Sequence, residues 1–207
     1  MKSIKMCAQI LVHPLDCFDL IKRDRDKTPV LTMIIICVLA VVCQIADVYL
    51  TSFSLNPNLP EESNILLLLA IIFVPLFSWV IGSYSTTTLM SGEAKLAESF
   101  TGAVYTLVPY IVSTPILIAL SYLLSTDTAG LYSALRAIVV IWIVILNFLS
   151  FIRLNDYGFL KGLGVAFIGI VATLLIWAVI LLLFVFTYQA FLFVKEVALE
   201  IKNQSLF

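Results

Sequence analysis

SGEAKLAESFTGAVYTLVPYIVSTPI, from Ser91 to Ile116, is the stretch of the sequence that decides the fold. It begins with three charged residues, Glu93, Lys95 and Glu98, and passes without a break into an apolar run. The charged residues are expected to face water, whereas the apolar run is typical of a helix inside a membrane. The stretch therefore predicts a short polar segment joined directly to a membrane-spanning helix.

The composition of the whole chain extends this interpretation. Hydrophobic residues make up 62% of the 207 residues and charged residues 12%, and the mean hydropathy is +1.11. Soluble domains have about 25% charged residues, so the sequence predicts a polytopic membrane protein. With a net charge of −1, the chain lacks an overall basic field, and no nucleic-acid partner is expected.

Five apolar runs are long enough to cross a bilayer, which takes about 20 residues. They are apolar on every side, whereas the strands of a membrane β-barrel alternate, so the runs are predicted to be helices. The predicted fold class is an all-α membrane protein, a bundle of five transmembrane helices. The predicted spans are Val30–Thr51, Ile65–Thr86, Gly102–Leu124, Leu131–Phe151 and Leu163–Tyr188.

Lysine and arginine residues predict the orientation, because loops rich in them stay in the cytoplasm. Six basic residues precede the first span, three more lie in the loops after the second and fourth spans, and three lie on the other side. The N-terminus is therefore predicted to be cytoplasmic and the C-terminus non-cytoplasmic. The predicted organisation is a cytoplasmic N-terminal amphipathic segment (1–29), a five-span membrane domain (30–190) and a short C-terminal tail (191–207).

Two segments next to the spans are predicted to be amphipathic helices. Leu96 and Phe100 recur at helical spacing, which predicts a helix from about Glu93 that rests on the inner leaflet and continues into the third span. A plain polar loop with a frayed helix start is the alternative. Leu15 and Phe18 belong to a similar stripe ahead of the first span, and a cytoplasmic amphipathic helix is predicted there too.

Three prolines lie inside predicted spans, Pro75 in the second and Pro109 and Pro115 in the third. Proline removes a backbone donor and strains the preceding turn, so each is predicted to kink its helix. The hydroxyls of Ser113 and Thr114 are placed to compensate. The alternative is a broken third helix that lines a substrate site, a device of transporters with inverted repeats; no such repeat is visible in the sequence.

Three polar residues lie at membrane depth: Asp47 in the first span, and Arg136 and Asn147 in the fourth. Asp47 and Arg136 lie at matching depths and carry opposite charges. An ionisable group inside the membrane is costly and points to a role. Two outcomes are open: each side chain reaches separately to the nearby surface, or the two form an intramembrane ion pair that fixes helix register.

No catalytic or metal-binding motif is found. The single histidine, His13, has no neighbour of a metal-binding type, and Cys7, Cys17, Cys37 and Cys43 form no C-x-x-C pair. P-loop, dinucleotide and nucleophile-elbow motifs are missing from the sequence. The chain is therefore predicted to be non-enzymatic, with no metal site and no cofactor.

Three stretches together point to a known family. The first, HPLDCFDLIKRDR (His13–Arg25), is similar to a pre-membrane motif of bacterial members. The second is the opening stretch, in which Tyr105–Pro109 matches an aromatic-small-x-x-Pro pattern. The third, ALRAIVVIWIVILNFLSFIRLNDYG (Ala134–Gly158), is similar to the family's fourth span with its internal tryptophan, here Trp142. The chain thus resembles the Yip family (Ypt/Rab-interacting protein domain) of five-span membrane proteins.

The resemblance covers roughly Leu11 to Phe191 and departs from the family at two turns. After the second span the family often has a Gly-Gly pair, where this chain has Ser91-Gly92. After the fourth span it often has His-Gly, where this chain has Tyr157-Gly158.

The resemblance implies a non-enzymatic integral membrane protein that acts on membranes through protein contacts. Eukaryotic relatives bind Rab-type GTPases in vesicle traffic, which implies a Rab-type partner at Golgi or endoplasmic-reticulum membranes if the source is eukaryotic. In a bacterium the expectation is an accessory or organising subunit of the cell membrane, with a membrane transporter subunit as partner.

The alternative function is a small transporter or permease component. Transport predicts a polar, water-accessible cavity near the midplane, lined by Asn147, Gln44 and the prolines of the third span. A scaffold predicts a dry apolar seam between the helices.

Overall fold

A computed structural model describes residues 2–23, 30–56 and 64–204 of the chain. Arg25, Lys27, Glu61 and Glu62, which contributed to the predicted orientation, lie outside the described residues.

Helices form nearly all of the described chain, and they make five candidate spans that are long and apolar enough to cross a membrane, one of them built from two consecutive helices. The predicted all-α class with five candidate spans is confirmed. The helices are α1 (Lys2–Val12), α2 (Pro14–Arg23), α3 (Val30–Leu50), α4 (Ile65–Leu89), α5 (Leu96–Tyr105), α6 (Val108–Ser121), α7 (Ala129–Asn155) and α8 (Phe159–Gln204), with a short 3-10 helix at Thr126–Thr128 before α7.

The third, fourth and fifth spans differ in their bounds from the prediction. The fourth candidate span is Thr126–Asn155, longer at both ends than the predicted Leu131–Phe151. The third candidate span is Leu96–Ser121, formed by α5 and α6, so it begins six residues before the predicted Gly102. Helix α5 starts at Leu96 and not at Glu93. Helix α8 does not stop where a tail was predicted from residue 191, since it continues to Gln204.

Contacts between loops define two ends of the bundle. At the proximal end, Lys22 of α2 reaches both the turn before α5 and the turn after α7. At the distal end, the backbone N–H of Ser52 donates to Ser121 Oγ at 2.9 Å, and Tyr122 donates to the carbonyl of Leu50 at 2.7 Å. Because α3, α4, α5–α6, α7 and α8 each lead from one end toward the other, successive loops alternate between the two ends.

The N-terminal segment folds into two helices that pack on the bundle. Phe18 and Ile21 of α2 are buried, as is Ile10 of α1, and they join a core cluster with Val104 and Tyr105 of α5. Pro14 occupies the first turn of α2, where proline's missing N–H has no helical partner to lose. That this side of the protein faces the cytoplasm stays a prediction.

The longest seam of the bundle joins α4 to α8, and a glycine permits it. A side chain at Gly82 would overlap Thr173, and the hydroxyl of Thr173 donates within α8 to the carbonyl of Gly169 at 2.8 Å. Gly169 in turn faces Ser83, whose Cα is 3.6 Å from the position a Cβ would take. Small residues thus let the two backbones approach closely, as is common between membrane helices.

Candidate functional site

The three stretches that carry the family resemblance meet at the proximal end. Lys22 Nζ lies 3.1 Å from a Glu93 carboxylate oxygen and 3.5 Å from an Asp156 carboxylate oxygen. The side chains of Glu93 and Asp156 are 56% and 74% exposed, so each ion pair contributes little by itself. We call the set Lys22, Gly92, Glu93, Asn155, Asp156 and Tyr157 the proximal corner.

Buried hydrogen bonds hold the proximal corner together beneath its charges. The Asn155 amide donates to the carbonyl of Phe151 at 2.9 Å and accepts from the backbone N–H of Ala94 at 3.4 Å. Tyr157 donates to the carbonyl of Met90 at 3.3 Å. Burial raises the pKa of Tyr157, which keeps the hydroxyl protonated as a donor. The two turns are therefore joined by neutral bonds that ionic strength does not screen.

Glu98 corrects the expectation that the charged residues of the opening stretch face water. Its side chain is 2% exposed, and one carboxylate oxygen accepts from the backbone N–H of Lys95 at 3.0 Å. The first N–H groups of a helix have no helical acceptor, and an acidic residue at the third position reaches back to satisfy one of them. Glu98 therefore caps the first turn of α5 and does not face water.

Leu96 and Phe100, the residues of the predicted interfacial helix, both lie on α5. Leu96 is 48% exposed. Phe100 stacks on Phe77 of α4 with ring centroids 5.4 Å apart. The second half of α5, from Thr101 to Tyr105, is buried in the bundle. That the exposed side of α5 rests on the membrane surface stays a prediction.

The three prolines occupy different settings. Pro75 lies inside α4 and Pro115 inside α6. Pro109 lies in the first turn of α6, directly after the interruption at Thr106 and Leu107 that separates α5 from α6. Its missing N–H therefore falls at a helix start, where proline is well tolerated.

A thiol from a neighbouring helix contacts the carbonyl that Pro115 leaves without its helical donor. That carbonyl belongs to Ile111, four residues earlier, and Cys43 of α3 donates its thiol to it at 3.7 Å. The hydroxyls of Ser113 and Thr114 donate instead to the carbonyl of Tyr110, at 3.2 and 2.7 Å. The compensation predicted from these two hydroxyls is therefore made by Cys43.

The structure brings Asp47 and Arg136 into direct contact near the distal end. Arg136 Nη2 lies 2.5 Å from Asp47 Oδ2, and Thr51 donates to the other carboxylate oxygen at 3.2 Å. The Asp47 side chain is 6% exposed and that of Arg136 32%. The contact joins α3 to α7. About one turn closer to the middle of α3, Tyr110 of α6 donates a hydrogen bond to Gln44.

A large cavity lies between α4, α6, α7 and α8, with a volume of about 1150 Å³. Its walls are mainly aliphatic and aromatic side chains, with Tyr110 and Asn147 as the polar members besides the Trp79 indole. Asn147 donates to the hydroxyl of Thr106 at 2.9 Å. Pro75 lines the cavity, but Gln44 and the third-span prolines do not. The lining is mainly apolar, and both the scaffold and the transporter function stay predictions.

The cysteines and acids of the described residues form no group of three or more ligands that could hold a metal ion. Burial, and to a lesser degree the nearby Cys7, raises the pKa of Cys17 to about 12. A thiol in this state is a poor nucleophile, and it donates to the carbonyl of Met6 at 3.6 Å. Cys17 is thus a packing residue of α2.

Sequence reasoning missed the proximal corner as a site. Lys22, Glu93 and Asp156 lie in three different segments of the sequence, and Glu93 and Asp156 are 63 residues apart in the chain. The one available signal was that the motif-bearing stretches all flank turns predicted on the same side of the membrane.

Comparison with known proteins agrees with this geometry. A family model described as the Yip1 domain matches residues 8–198 of the chain. A search of curated proteins and a search of solved structures each gave no match. The matched range includes α2, all five candidate spans and every residue of the proximal corner.

Proposed function

We propose, from the premise that the chain belongs to the Yip1 domain family, that it is a non-enzymatic scaffold or accessory subunit of a membrane assembly. Members of this family are multi-pass membrane proteins and are generally not enzymes. Its partner is a membrane transporter subunit in a bacterial source, or a Rab-type GTPase at Golgi or endoplasmic-reticulum membranes in a eukaryotic one. In both cases the proximal end faces the cytoplasm.

The observation that carries the proposal is the length of the apolar part of α8. The candidate span Phe159–Phe193 has 35 residues, about 52 Å of helix. The hydrocarbon core of a bilayer is about 30 Å thick. A helix tilted by about 40°, the upper end of the usual range, would still project about 40 Å. Tilt alone therefore leaves about 10 Å of this segment outside the hydrocarbon core.

Packing within the chain does not cover the surplus either. Only 6% of the apolar window in α8 is buried, and Leu181, Phe184 and Phe186 are each more than half exposed. A contact with another membrane protein would cover these side chains. The apolar lining of the cavity between α4, α6, α7 and α8 supports the same function, because a transported polar solute would meet few polar groups there.

In-membrane photocrosslinking tests the proposal. A photoreactive phenylalanine analogue at Phe184 or Phe186 should give one discrete protein adduct in native membranes, and the same protein should co-purify with the unmodified chain. Ile138 of α7 is also well exposed, at 60%, and is the matched control that should give no such adduct. Identical patterns at all three positions would contradict a partner on α8.

A further inference from the structure

We propose that the cavity between α4, α6, α7 and α8 binds an uncharged lipid that carries a hydroxyl group. Its volume of about 1150 Å³ is slightly larger than the ~300–1,000 Å³ typical of small-molecule sites, which leaves room for a long-chain ligand. Such sites are mostly apolar and contain a few polar groups that orient the ligand. This binding is independent of the scaffold function.

The cavity is open along α7 and α8. Val144 of α7 and Phe167 of α8 line it and are each more than half exposed, whereas Leu76 of α4 and Ala166 of α8 are buried at its inner wall. A ligand can therefore enter sideways from the bilayer. The described lining contains no charged side chain. A charged headgroup would lose its hydration there without gaining a partner, so an uncharged lipid is favoured.

Asn147 of α7 offers a hydrogen-bond acceptor at the cavity wall. Its amide nitrogen donates to the hydroxyl oxygen of Thr106 at 2.9 Å and to the carbonyl of Ile143 at 3.3 Å. The Thr106 hydroxyl gives its own proton to the carbonyl of Ala103 at 2.6 Å, so both contacts of Asn147 require an N–H group and fix the orientation of the amide. The amide oxygen accepts no hydrogen bond from the residues that the structure describes, and it is not sealed inside the protein.

Trp79 of α4 brings the matching donor. Its indole N–H can donate but not accept; it has no hydrogen-bond partner in the described part of the chain, and it too is not sealed inside the protein. Trp79 and Asn147 both line this cavity and a smaller one of about 10 Å³ beside it, so donor and acceptor lie where the two cavities meet. A hydroxyl group both donates and accepts, and one ligand hydroxyl can therefore bond to both residues.

The pair lies inside the membrane, where water is scarce. Helix α7 has 27 residues, about 40 Å, and extends only about 5 Å beyond each side of a ~30 Å hydrocarbon core. Asn147 lies about 12 Å from the proximal end of α7. Polar groups at this depth are costly without a partner, and a lipid hydroxyl supplies one. The smaller cavity has room for about one water molecule, which is the competing occupant.

Thermal unfolding of the full chain in uncharged detergent micelles tests the site, followed by circular dichroism, which does not depend on tryptophan. One arm adds dodecanol, and the other adds dodecane, the same chain without the hydroxyl. Dodecanol should give a saturable rise in Tm with a midpoint about tenfold below that of dodecane, because the alcohol alone forms the two hydrogen bonds. Equal responses to the two, expected if water satisfies the polar pair, or no saturable response to dodecanol would overturn the proposal.

Trp79→Phe is the deciding variant, since it removes the N–H donor and keeps an aromatic ring against Phe151. We expect its midpoint for dodecanol to rise about fivefold, the equivalent of one neutral hydrogen bond, and its midpoint for dodecane to stay the same. Trp142→Phe is the matched control, because Trp142 of α7 lies outside the lining of the cavity; it should change neither midpoint. A dodecanol midpoint equal in wild type and Trp79→Phe would contradict the proposal.

Gly164→Leu locates the ligand. Gly164 of α8 lines the cavity and has no atom within 4 Å of the position a Cβ would take, so the added side chain takes space from the ligand and not from the protein. Its Tm without ligand should stay the same or rise, and its dodecanol midpoint should rise at least about fivefold. Gly130→Leu, in equally open space on α7 but outside this cavity, is the control. Equal midpoints for the two variants would place the ligand elsewhere and overturn the proposal.

Discussion

Ser91 and Gly92 are adjacent residues before α5, and the two positions favour glycine for different structural reasons. Ser91 has φ 56°, in the left-handed region that favours glycine. Gly92 is held by close approach, because a Cβ there would lie 2.7 Å from the Tyr157 hydroxyl and would overlap the Asn155 amide. The Gly-Gly pair common in the family fits both positions, the first because of its backbone conformation and the second because of its close contacts. This chain keeps glycine only at the second position, Gly92, where a side chain would overlap its neighbours.

Ser91→Gly should raise the free energy of unfolding by up to about 1 kcal/mol, because the left-handed backbone costs a residue with a side chain about that much. Unfolding in mixed detergent micelles would measure the gain. Ser85→Gly, at an exposed position within α4, is the matched control and should lower stability by about 0.5–1 kcal/mol. A loss of stability in Ser91→Gly would show that this account of the turn is wrong.

The position of a single residue could be predicted from the sequence where its charge and its distance from the end of an apolar run were enough to place it. Asp47 and Arg136 could be matched because both lie a similar distance from the end of an apolar run. Glu98 was predicted wrongly, since hydropathy assigns a carboxylate to water and does not detect that a helix start needs an acceptor. The contact from Cys43 to Ile111 depends on which helices are neighbours, which no single sequence gives.

Among the elements, the bundle depends on contacts that join helices distant in the chain. Asp47 and Arg136 connect α3 to α7, and Cys43 and Ile111 connect α3 to α6. The spans themselves were predictable because each is a long apolar run. Their bounds were less predictable. The third span begins at Leu96, and hydropathy does not detect the close approach of Gly102 of α5 to Ser150 of α7, where a side chain would overlap.

The α3–α7 contact makes a prediction at this scale. Asp47→Asn and Arg136→Gln should each destabilise the protein by up to about 3 kcal/mol, the low end for buried pairs because Arg136 is partly exposed. The double variant should lose less than the sum, with a coupling of about 0.5–3 kcal/mol. Free energies of unfolding for the four proteins in mixed micelles complete the cycle.

Asp127→Asn combined with Arg136→Gln is the control cycle. Asp127 is exposed in the 3-10 helix before α7, and its effect should add to that of Arg136→Gln. Strict additivity in the Asp47 cycle as well would mean that the two residues act independently and do not fix the register of α3 on α7.

For the molecule as a whole, the sequence indicated membrane class, helix number and family, because these follow from composition and from motifs spread over most of the chain. It did not indicate the cavities or the proximal corner, which arise only when turns and spans meet. In the predicted orientation, the proximal corner faces the cytoplasm and α8 crosses the membrane once.

The most direct test is a pair of reporter fusions that signal which side of the membrane they occupy. One is placed at Asn58, in the loop after α3 and outside the described residues, and one at the C-terminal Phe207. Five spans with a cytoplasmic N-terminus predict a non-cytoplasmic signal at both positions. A cytoplasmic signal at Phe207 with a non-cytoplasmic signal at Asn58 would contradict the account, because α8 would then not cross the membrane.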